Sequence, residues 1–150
     1  MLIEVKVKVA RIIDGKTRKR TETYILDKQF FSEAEYRVTA ELNEEQNSNL
    51  ISSFEIISLR QSSIKEVCTQ YTGNIPYVAT LIDIFLDDAG NEKTIKYKVL
   101  LWAEDLHQAH DCAQNLVQQG YDLHIESIKE VNYIYLEEDD TQQQGNTAGV

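Results

Sequence analysis

The chain has 150 residues, 42% of them hydrophobic and 27% charged, with a formal net charge of −10. This composition belongs to a folded globular protein and excludes global disorder, and a compact chain of this length buries roughly 68–70% of its unfolded surface. The negative charge opposes non-specific attraction to phosphate backbones, and no apolar run reaches the ~20 residues that span a bilayer.

In chain order, Ile3–Ile13 alternates, with Val5, Val7 and Val9 on one face and Lys6 and Lys8 on the other, which predicts a half-buried strand. This strand pattern starts at once, with no signal peptide ahead of it, so the cytoplasm is the expected location. Asp14-Gly15 is a hairpin signal, and Thr21–Leu26 reads as the returning strand. Ser32-Glu33-Ala34-Glu35 has the form of a capping box, after which Phe31, Ala34, Val38 and Leu42 share one helical stripe. The helix is expected to fade in the polar stretch 43–49. Phe54–Leu59 is a third strand, extendable towards Val67.

Residues 69–76, with Gly73 and the single proline, Pro76, form a connector. Tyr77–Leu86 is then a strand apolar on both faces. Asp87–Asn91 is a turn, and Thr94–Ala103 the returning strand. Asp105 is a plausible N-cap with Gln108 three residues later. Leu106, Ala109, Ala113 and Leu116 make a helical stripe that Gly120 is placed to stop. Leu123–Leu136 is long for one strand and predicts a bulge or bend near Glu130–Asn132. Glu137–Asp140 and the polar residues that follow read as a disordered acidic tail.

The two halves align. Ala34 falls on Ala109 at an offset of 75, and the same offset brings Tyr24-Ile25-Leu26 onto Val99-Leu100-Leu101. Ile57–Arg60 meets Glu126–Lys129 at an offset of 69. The expected fold is therefore α+β, a tandem duplication of a β-β-α-β unit. Residues 1–68 form the first copy, 69–76 the connector, 77–136 the second copy and 137–150 the tail. Each copy is expected to be an antiparallel sheet with one helix packed on a face. If the third strand lies beside the first, the order is 2-1-3.

Tyr24-Ile25-Leu26-Asp27 followed by Phe31-Ser32-Glu33-Ala34-Glu35 resembles the signature of domain-of-unknown-function family 4494, found in Bacteroidetes and associated phages. The second half agrees, from Tyr77-Val78 through Asp87–Gly90 to the helix beginning near Leu106, so the resemblance covers about residues 3–136. The chain departs from the pattern in its first strand, where Val and Lys replace a frequent aromatic residue or Cys. The family implies a cytoplasmic bacterial or phage-encoded protein. It brings no activity, so no site residue carries over.

Candidate chemistry is sparse. Lys16, Arg18, Lys19 and Arg20 form the one basic cluster, which the hairpin reading places at a turn, and they are candidates to hold phosphates. The simpler account is a solvated turn whose charges protect an edge. The equivalent second turn is acidic, so the two tips differ in sign. Tyr133 and Tyr135 alternate with Ile134 and are candidates for an exposed contact pair. His107 and His110, beside Asp111 and Cys112, make at most half a metal site, with His124 a distant third, so no metal site is expected. Cys68 and Cys112 make no disulfide framework and read as small semi-buried residues. No phosphate-loop, G-x-S-x-G or H-E-x-x-H pattern is present, so neither enzyme activity nor a cofactor is expected.

These residues point to an interaction protein that binds a protein partner through its acidic surface and tail. The alternative is a nucleotide-binding or nucleotide-sequestering protein with a pocket between the two copies. Homo-oligomer formation through free sheet edges is compatible with either. Nucleic acid and membrane partners are not expected.

Overall fold

A computed structural model describes residues 1–70, 72–119 and 123–137. The elements are β1 (Leu2–Ile13), β2 (Lys16–Asp27), α1 (Phe31–Asn47), β3 (Ile51–Gln61), β4 (Ile64–Cys68), β5 (Ile75–Leu86), β6 (Glu92–Ala103), α2 (Leu106–Gln119), β7 (Leu123–Glu130) and β8 (Tyr133–Tyr135). They form two compact units. One is Met1–Gln61 with the described residues from Tyr133 to Glu137, and the other is Ser62–Asn132.

The first unit is a four-stranded sheet in the order β3-β1-β2-β8. β1 and β2 form an antiparallel hairpin that closes at Ile13↔Lys16 through Asp14 (φ 52°) and Gly15 (φ 76°). Two consecutive left-handed residues give the turn whose twist matches that of the strands. β3 pairs antiparallel with the other edge of β1, with irregularities at Lys6/Val7 and Ala10/Arg11. The expected 2-1-3 order is present. Period-two alternation buries Ile3, Val5, Val7 and Val9 of β1, with Tyr24 and Leu26 of β2, against Ala34, Val38 and Leu42 of α1. Burying side chains of this size contributes about 1.5–3 kcal/mol each, so the stripe on α1 and the alternation on β1 specify one another.

Helix α1 is capped two residues earlier than the Ser32 reading. Phe30 is the N-cap, and the Glu33 carboxylate accepts from its backbone N–H at 3.1 Å. The helix ends at Asn47, inside the polar stretch where it was expected to fade, and Asn49 follows at φ 61°. Asparagine tolerates this left-handed conformation better than most residues.

The second unit has the order β4-β6-β5-β7, with β5–β6 and β5–β7 antiparallel. Its core joins Tyr77, Ala79 and Leu81 of β5 and Val99, Leu101 and Ala103 of β6 to Ala109, Cys112 and Ala113 of α2. Asp105 caps α2, its carboxylate accepting from the Gln108 N–H at 2.8 Å. Gly73 lies so close to β6 that an added Cβ would fall 2.3 Å from the Ala103 carbonyl carbon.

The fourth strands depart from expectation. β4 follows β3 in the chain yet pairs parallel with β6 of the second sheet. β8 follows β7 yet pairs parallel with β2 of the first sheet. The sheets are therefore mixed, not purely antiparallel. The second compact unit begins at Ser62 where the first copy was drawn to 68, and it ends at Asn132 where the second was drawn to 136. The physical reason lies in the side chains past each break. Beyond Ser62-Ser63, Ile64 is buried and Cys68 joins the second core. Beyond Val131-Asn132, Ile134 and Leu136 pack on the first core. The bend expected near Glu130–Asn132 is the point at which the chain leaves its sheet.

Candidate functional site

The first sheet carries α1 on one face. Along β1, alternation turns Lys8 and Ala10 to the opposite face, and register sets the neighbours. Ser53, Ala10 and Lys19 form one cross-strand row, and Glu55, Lys8 and Thr21 the next. These six residues, with Val9, Arg20 and Phe54, line a cleft of about 650 Å³. Ala10 is small and only 5% exposed, so the floor is low where its neighbours stand high. Lys8 and Lys19 are exposed, and neither ammonium has an ion-pair partner among the described residues. Two free cations, two hydroxyls and the Glu55 carboxylate form a lining that suits an anionic group with hydrogen-bonding neighbours.

Behind the cleft, on the helix side of the sheet, a charged cluster fixes β2. The Glu22 carboxylate, 7% exposed, accepts from Arg11 Nε and from Arg11 Nη2 at 2.7 Å. It also accepts from Arg20 Nε at 2.9 Å and Tyr24 Oη at 3.2 Å. Arg11 Nη2 reaches Glu45 of α1 at 3.3 Å. Burial pushes the Glu22 carboxyl up, but the Arg11 hydrogen bonds and charge, with those of Arg20, outweigh it and hold it below the usual value. Burial first, then the Glu22 charge, drives the Tyr24 hydroxyl well up.

The residues singled out from the sequence are dispersed by this geometry. The basic cluster is not a turn: Lys16 is the first residue of β2 and all four cations are strand residues. Alternation sends Lys16, Arg18 and Arg20 to one face and Lys19 to the other. Lys19 enters the cleft, Arg20 is held by Glu22, and Lys16 and Arg18 stand out along the hairpin arm. Tyr133 and Tyr135 lie opposite Thr23 and Ile25 and are half-buried where exposure was expected. Burial raises the Tyr133 hydroxyl, with the Glu4 charge adding to it. Glu4 itself is buried and receives Arg60 through two bonds, at 3.1 and 3.2 Å.

His107 meets Asp111 at 3.6 Å on the exposed side of α2, and His124 lies on β7. Among the described residues no three His, Cys, Asp or Glu side chains converge as metal ligands. Cys68 and Cys112 share the second core, and burial raises both thiols. Tyr71, Gly120, Tyr121 and the acidic tail beyond Glu137 lie outside the described residues. Lys8, Thr21, Ser53 and Glu55 are cleft residues that reading the sequence missed. The Asp14-Gly15 turn alone implies that Lys8 faces Thr21 and Ala10 faces Lys19.

No described helix is long and apolar enough to cross a membrane. A family model described as "Domain of unknown function (DUF4494)" matches residues 1–136, and the chain belongs to that family. No curated protein matches the chain.

Proposed function

We propose that this member of the DUF4494 family is a binding protein, not a catalyst, and that it takes an anionic ligand of nucleotide size in the cleft on its first sheet. The observation that carries the reading is the free pair Lys8 and Lys19 standing over Ala10 in a concavity of about 650 Å³. That volume falls within the ~300–1,000 Å³ common for small-molecule sites. Thr21 and Ser53 add hydroxyls that accept or donate, which suits a phosphate or a sugar. This moves the nucleotide-binding alternative onto the first sheet alone.

The two halves of the chain read as copies of one ancestral β-β-α-β-β sequence. What supports this is the matching element order, with β1, β2, α1, β3 and β4 answering to β5, β6, α2, β7 and β8, and the matching sheet orders. The cleft is not duplicated in its chemistry. The positions that answer to Lys19 and Thr21 at the offset of 75 are Thr94 and Lys96, and Lys96 is paired with Glu126 at 3.1 Å.

Thermal unfolding across a panel of inorganic phosphate, nucleoside mono- and triphosphates and dinucleotides tests the reading. A ligand at 100 times its dissociation constant adds about 2.7 kcal/mol. The expected result is a rise in midpoint for a phosphate-bearing ligand that Lys8→Ala plus Lys19→Ala abolishes. A rise unchanged in that variant, or none across the panel, refutes the assignment.

A further inference from the structure

The turn ends of both hairpins are exposed, and these arms carry much of the exposed apolar surface of the described residues. On the first arm Ile12 and Ile13 are exposed, with Leu50 beside them through the Ile12 N–H to Leu50 carbonyl bond at 3.0 Å. On the second, Ile84, Phe85 and Ile95 are exposed, and Leu86 is 70% exposed. Register puts Ile84 and Leu86 on one face of this hairpin and Phe85 with Ile95 on the other, so each face of the arm carries an adjacent pair of exposed apolar side chains.

The charges on the two arms are opposite. The first arm presents Lys16 and Arg18, exposed and without an ion-pair partner among the described residues, with Asp14 the one carboxylate of its turn. The second presents Asp88 and Glu92, likewise exposed and unpaired among the described residues. Its neighbour Asp87 is occupied, its carboxylate holding the turn through the Ala89 and Asn91 N–H groups. In a chain with net charge −10, the first arm is a local cationic surface, and every copy also carries its complement. Ile13 with Lys16 and Arg18 on one face of the first arm, and Ile84 and Leu86 with Glu92 on one face of the second, match one another in both respects.

We propose that the chain self-associates, the basic first arm of one copy seating against the acidic second arm of another. A head-to-tail contact of this kind gives a dimer when each copy makes it once in each direction. The proposal is independent of the cleft, since neither Lys8 nor Lys19 takes part.

Sedimentation equilibrium on the full chain, at low and at high salt, tests it with charge-reversed variants. The wild type is expected to dimerise in the micromolar range and to weaken as salt screens the rims. Lys16→Glu plus Arg18→Glu replaces attraction with repulsion and should weaken association about tenfold or more, as should Asp88→Lys plus Glu92→Lys. Mixing the two variants restores opposite signs at both contacts and should recover a mixed dimer that neither forms alone. Circular dichroism confirms that each variant is folded. A wild type that stays monomeric into the high micromolar range overturns the proposal. So does a dimer indifferent to both reversals, or two weakened variants that fail to recover on mixing. A monomer whose first-arm reversal instead abolishes retention on a polyanionic resin would assign the arm to a different partner and also refute self-association.

Discussion

Replacing Glu22 should be the most damaging single change among the charged residues of the first unit. The carboxylate is buried and accepts four hydrogen bonds, from both Arg11 nitrogens, Arg20 and Tyr24. Removing one partner of a buried ion pair costs about 3–5 kcal/mol, because the other charge is left unpaired. Here Arg11 would retain Glu45 at 3.3 Å, so Glu22→Ala is placed at about 3–4 kcal/mol. Arg11→Ala should cost less, about 2–3 kcal/mol, because Arg20 and Tyr24 still serve Glu22. Arg20 is 52% exposed, and its removal should cost under about 1 kcal/mol. Arg11→Met with Glu22→Leu removes both charges and should cost clearly less than the two single losses added together. The sign with pH follows from the lowered carboxyl. Its stabilisation is complete above the ordinary carboxyl pKa of about 4.3 and is lost as pH falls through the lower folded value. Glu22→Gln should therefore flatten the acid limb of the stability curve. Urea unfolding read by hydrogen exchange on β1 and β2 is the suitable assay, since Trp102, the single tryptophan, lies in the other unit. Equal costs for Arg20→Ala and Arg11→Ala, or a double variant as unstable as the sum of its singles, would refute the reasoning.

Gly73→Ala should destabilise the second unit by about 1–3 kcal/mol, because the new methyl meets the Ala103 backbone, which cannot swing aside as a side chain can. Trp102 fluorescence during urea unfolding would detect it, and an unchanged midpoint would refute the clash. Burial, and then the 2.8 Å hydrogen bond to Glu66, pushes the Tyr97 hydroxyl up to about 12. A raised acid favours its neutral form in the fold, so this contribution is intact below the ordinary tyrosine value of about 10 and fades as pH rises towards 12. Ultraviolet titration of Tyr97→Phe should lose one late-ionising tyrosine relative to the parent. Ending the chain at Asn132 removes β8 and the Leu136 N–H to Ile25 carbonyl bond at 3.0 Å. Amides along Thr23–Ile25 should then exchange faster while those of β5 keep their protection.

Much of the local structure was legible because local rules govern it. Alternation placed Val5, Val7 and Val9 inside, Asp14-Gly15 closed the first hairpin, and the Ala34, Val38, Leu42 stripe found the core. The N-cap moved from Ser32 to Phe30 because a Glu three residues on can serve a cap that has no polar side chain of its own. The strand exchange was not legible. Ile64–Cys68 and Tyr133–Tyr135 are strands of only five and three residues, too short for their pattern to distinguish an edge of one sheet from an edge of the other. The cleft was half legible. The two-residue turn fixes Lys8 opposite Thr21, but irregularities in the β1–β3 ladder hide that Ser53 and Glu55 complete the rows.

The crossed strands also set a schedule. On the ribosome, β2 is finished early and its outer edge needs β8, which is made roughly a hundred residues later. At ~5–20 residues per second that is a wait of ~5–20 s, against ~1–10 µs for a hairpin to form. Throughout that interval the nascent chain holds a strand edge whose natural cover does not yet exist. A stalled or prematurely terminated copy keeps that edge open indefinitely, and chaperones and proteases would meet it as an unfinished product even though the half already made has most of its core.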